Sequence, residues 1–151
     1  MANKLVLVIG IVQIVTGGVL LGLLAKDFHD VNSSKLVTTA DKVNAFGPVI
    51  IGILVAFNGI IGVIASCSSK TNLDVFYMMG AAVASTASAA MLWIYAVAVY
   101  SMKVCRGSDL EKKFCPTEQY NVRSTVLAFS LIACTFSVIG MVVTGLATCR
   151  K

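Results

Sequence analysis

Four long uncharged runs set the pattern of this chain. They cover residues 5–25, about 45–66, 75–101 and 126–148. Charged side chains fall between and beyond them. Each run exceeds the ~18–20 residues that a helix needs to cross bilayer hydrocarbon. At ~1.5 Å per residue, the first, second and fourth reach about 31–35 Å, enough to span with modest tilt. The third, Val75 to Ser101, is longer and is expected to project beyond the hydrocarbon. The first run is too long for the apolar core of a signal peptide, and no A-x-A-like site follows it, so it reads as a retained span. The pattern predicts an all-α fold: one integral membrane domain over residues 1–151, a four-helix bundle with short loops.

Helix-start signals fit these limits. Thr71, with Asp74 three residues on, makes a capping box for the third span. Asn44 is placed to cap the second span and Ser124 the fourth. Pro48 then falls in the first turn of the second span, where a missing N–H costs little. With four spans, both termini and the turn 67–74 share one side, and loops 26–44 and 102–123 share the other.

Composition agrees with this reading. Hydrophobic residues make up 58% of the 151 and charged residues only 13%, against ~25% charged in soluble domains. The net charge of +5 and pI near 9.1 raise the question of nucleic acid. Lys and Arg instead lie at the ends of the apolar runs, at head-group level, with no basic stripe interleaved with aromatics. That argues against nucleic-acid binding and for the lipid bilayer as the chain's main partner.

Three signals bear on orientation. Cys105 and Cys115 are close enough in sequence to close a small ring; paired, they mark their side as oxidising and extracytoplasmic. Asn32-Ser33-Ser34 is an N-glycosylation sequon, meaningful on that same side. The raw count of Lys and Arg points the other way, but the loops are much longer, and Lys/Arg density favours the termini. The balance places both termini in the cytoplasm and loops 26–44 and 102–123 outside, in a multi-pass protein of the plasma membrane or an endomembrane. Cys67 and Cys149 then sit at the cytoplasmic boundary, where S-palmitoylation competes with the plainer reading of a free thiol. Cys134, in mid-span, reads as a small packing residue.

No Asp, Glu, Lys, Arg or His lies in the middle of a span, whereas ion-coupled transporters and pumps usually keep an ionisable group at depth. The strongest polar groups at depth are Gln13 and Asn58. Counted from the same side, both lie ~12–14 Å deep. This predicts a Gln13–Asn58 hydrogen bond joining the first two spans, worth about 0.6–2 kcal/mol. Small residues recur at helical spacing: Gly10, Gly17, and Gly18-x-x-x-Gly22 in span one; Gly52, Ala56, Gly59 and Gly62 in span two; Ala133, Ser137, Gly140 and Thr144 in span four. In lipid, helices associate by close backbone approach, so these stripes predict a compact bundle. Gly80 to Ala90, GAAVASTASAA, is small on every face of the third span, which predicts packing on two sides, with Gly80, Ala84 and Ala87 at the contacts. Ser85, Thr86 and Ser88 are expected to return their hydroxyls to the backbone.

Other candidate chemistry is thin. Residues 26–30, KDFHD, hold the only His beside two carboxylates, but a solvated loop explains them better than a metal site. Trp93, Tyr95 and Tyr100 read as an interfacial aromatic belt. No catalytic triad, Cys/His pair, phosphate-binding Gly loop or zinc-ligand spacing is present, so neither enzyme activity nor a cofactor is expected.

Span one, IGIVQIVTGGVLLGLL, resembles the membrane-spanning four-domains family, subfamily A, the family of a B-lymphocyte surface antigen. Gly10, Gln13, Ile14, Gly17, Leu21 and Gly22 fill that family's span-one pattern. Span two, FGPVIIGILVAFNGIIGVIA, is similar to the family's next segment at Phe46, Pro48, Gly52, Gly59, Gly62 and Ala65. Cys105 and Cys115 match a cysteine pair in the family's last extracellular loop. The chain departs where the family often has Trp and paired Gly after the span-two Pro, and where Cys67-Ser68-Ser69-Lys70 replaces a Glu-Lys exit. It lacks the Cys-Cys-Gly motif of tetraspanins and the loop-one Trp and Cys pair of claudins. The resemblance implies oligomers, commonly dimers, and association with receptors.

Three functions follow for comparison. The favoured one is a non-enzymatic organiser that forms homo-oligomers and binds other membrane proteins. The second is a channel or pore subunit lined by Gln13, Asn58 and the hydroxyls of span three; the missing intramembrane charge weighs against it. The third is a cell–cell, junction or matrix adhesion component acting through loops 26–44 and 102–123.

Overall fold

The computed structural model describes the backbone of residues 2–33, 39–68, 71–106 and 117–149, and the side chains of 4–23, 46–68, 72–100 and 121–149. Four α-helices make up the described chain: α1 (Ala2–Ser33), α2 (Thr39–Cys67), α3 (Thr71–Arg106) and α4 (Thr117–Cys149). All four are long and apolar enough to cross a membrane, over Lys4–Leu23, Phe46–Cys67, Asn72–Tyr100 and Asn121–Cys149.

The helices outrun the apolar runs at one end. Residues 26–33 and 39–44 are helical where a loop was expected, and so are 102–106 and 117–123. Hydropathy marks where a chain stays dry, whereas a helix continues wherever backbone bonding and propensity sustain it. Lys26, Lys42, Glu118 and Gln119 are good helix formers in water as in lipid. Asn44 and Ser124 therefore lie inside α2 and α4 and cap neither. Pro48 lies well inside α2, not in its first turn, and leaves one intrahelical bond unmade. Thr71 does open α3, with Asp74 in its first turn.

Buried positions recur at alternating intervals of three and four. In α3 they are Tyr77, Ala81, Ala84, Ser88, Met91 and Tyr95; in α4, Val126, Ser130, Ala133, Ser137, Gly140 and Thr144. A period near 3.5 is the signature of helices packed almost along one another with a left-handed twist. Each helix packs on two neighbours: α1 on α2 and α4, α3 on α4 and α2, with α2 and α4 barely touching across the diagonal. Neighbours run antiparallel, since Gly10 meets Gly59 while Gly17 meets Gly52, and Asn58 meets Gly80 while Gly47 meets Met91.

The outside is apolar. Val15, Phe57, Phe76, Trp93, Leu131 and Leu146 point away from the bundle. Such a surface is a liability in water and an asset in lipid.

Candidate functional site: a buried polar hub

Gln13 of α1 points to the bundle axis and is fully buried. An amide in a dry interior needs partners for both its donor and its acceptor. Gln13 finds them on all three other helices. Its Nε2 donates to Ser137 Oγ of α4 at 3.1 Å. Its Oε1 accepts from Asn58 Nδ2 of α2 and from the Tyr77 hydroxyl of α3, each at 3.4 Å. The two longer bonds are the weaker ones. Depth counting pairs Gln13 with Asn58; the structure adds Tyr77 and turns Ser137 from a small packing residue into a bonded one.

Glycines make the room for this hub. A Cβ at Gly62 would stand 2.6 Å from Tyr77 Cε2, and one at Gly140 would overlap the Tyr77 hydroxyl. The ring is thus held between α2 and α4 while its oxygen reaches α1. A Cβ at Gly80 would overlap Asn58 Oδ1, so Gly80 lets that amide lie flat against α3. Sequence reading missed Tyr77. Its signal was the stripe Tyr77, Ala81, Ala84, Ser88, where a large polar-tipped residue heads a row of small ones.

On either side of the hub, α1 and α2 touch backbone to backbone. A Cβ at Gly10 would stand 2.8 Å from the Gly59 carbonyl oxygen, and one at Gly59 would stand 2.6 Å from that of Gly10. Gly17 and Gly52 make the same exchange at 2.6 and 3.1 Å. Backbone cannot swing aside as a side chain can, so this seam requires glycine. Gly18 and Gly22 behave differently. Gly18 follows Gly17 by one residue, about 100° round the helix, and both it and Gly22 face outward. A Cβ at either would meet nothing within 4 Å.

The stretch GAAVASTASAA divides by face. Ala81, Ala84 and Ser88 are buried, Ala87 is half-buried against the core, and Val83, Thr86, Ala89 and Ala90 are exposed. Ser85 donates to the Ala82 carbonyl at 2.9 Å, and Thr86 donates to those of Ala82 and Val83. Ser88 corrects the expectation: its Oγ is buried without a partner. Asn58 Oδ1, Ser124 Oγ and Thr144 Oγ1 are in the same condition. Trp93 and Tyr100 are 75% and 71% exposed, but Tyr95 is only 4% exposed and belongs to the core, not to an aromatic belt.

Cys67 and Cys149 are exposed free thiols, and Cys134 is half-buried with its Sγ 3.7 Å from the Ser85 carbonyl. Cys115 and the side chain of Cys105 lie outside the described residues, so their pairing does too. The side chain of Asn32 and those of residues 26–30 also lie outside, although the backbone there is helical. Among the described residues, no group of three His, Cys, Asp or Glu side chains is placed to hold a metal ion.

The hub holds no nucleophile beside a base and no carboxylate. It crosslinks four helices at one level and fixes their register. Compared with protein-family models, curated proteins and solved structures, the chain finds no match.

Proposed function

We propose that this protein is a non-enzymatic tetraspan membrane protein that self-associates, as a dimer first, and organises or regulates partner membrane proteins. The observation that carries this reading is the uncovered pair Gly18 and Gly22. Gly10, Gly17, Gly52 and Gly59 are used up in contacts within the chain, whereas Gly18 and Gly22 stand one turn apart with open space beside them. They continue an outward face of α1 that includes Ile11 and Val15. In lipid such a face gains from another helix at close range, through van der Waals contact that lipid chains cannot match. The likeness to the four-span family named above, with its dimers and receptor partners, supports the same reading. A pore fits less well, because Gln13, Asn58, Tyr77 and Ser137 bond across the axis where water would pass.

Native mass spectrometry in a mild detergent tests this. The protein is expected as a dimer, and Gly18→Leu with Gly22→Leu is expected as a folded monomer. A monomeric wild type, or ion flux in liposomes abolished by Gln13→Leu, would reverse the reading.

A further inference from the structure

We draw no further inference here: the strongest candidate, the outward-opening apolar groove between α3 and α4 walled by the exposed Trp93 and Leu131, carries none, because nothing in the structure shows what covers it.

Discussion

Gln13→Leu removes the side chain that hydrogen-bonds to all three other helices. Three hydrogen bonds end on it, to Ser137 at 3.1 Å and from Asn58 and Tyr77 at 3.4 Å each. Interhelical bonds in membranes average ~0.6 kcal/mol, so the bonds alone come to about 2 kcal/mol. The partners left behind add to this. Ser137 can return its hydroxyl to its own helix. The amide of Asn58 and the hydroxyl of Tyr77 are fully buried and have no other bond among the described residues, at about 1 kcal/mol each or somewhat more. The expected loss is about 3–4 kcal/mol. Asn58→Leu makes the contrast. It removes a single 3.4 Å bond together with an oxygen that has no partner, and Gln13 keeps its bonds to Tyr77 and Ser137. Its expected cost is at most about 1 kcal/mol. Both variants are to be unfolded by SDS titration in mixed micelles, followed by far-ultraviolet circular dichroism. Equal losses, or a larger loss from Asn58→Leu, would refute the assignment of Gln13 as the hub.

Two further outcomes follow from the same packing. Gly140→Ala should cost about 1–3 kcal/mol by pressing on the Tyr77 hydroxyl; adding Tyr77→Phe should recover part of that loss, so a double-mutant cycle should show coupling above ~0.5 kcal/mol. Ala84→Leu overfills a site that is 1% exposed and should lower thermal stability, by about 1–3 kcal/mol, while Ala90→Leu on the exposed side of α3 should leave it unchanged.

The four helices and much of the hub were legible in the sequence for different reasons. Hydropathy locates the dry part of each helix, because burial in lipid demands apolar side chains along its full length. It misplaces the ends, because Lys42 and Glu118 leave the apolar run without leaving the helix. That is why Asn44 and Ser124 are poor guides to where α2 and α4 begin. Gln13 and Asn58 stood out because an amide at mid-depth has few reasons to be there. Tyr77 did not stand out: near the start of a span, an aromatic with a hydroxyl looks like an interfacial anchor. Only the holes at Gly62 and Gly140, on two other helices, show that it turns inward. The glycines carried the opposite difficulty. Sequence spacing marked Gly18 and Gly22 as strongly as Gly10 and Gly17, because a small residue reads the same whether its neighbour lies in its own chain or in another. Rotation about α1 separates them: one pair faces α2, and the other faces out.

The central claim is that this outward pair, and not the inner seam, joins one copy to the next. Resonance energy transfer between amino-terminally labelled donor and acceptor copies in lipid vesicles measures it directly. The account predicts transfer that rises with protein-to-lipid ratio for the wild type, and its loss in Gly18→Leu with Gly22→Leu at unchanged thermal stability. Transfer that persists in that variant, or its absence in the wild type, would contradict the claim.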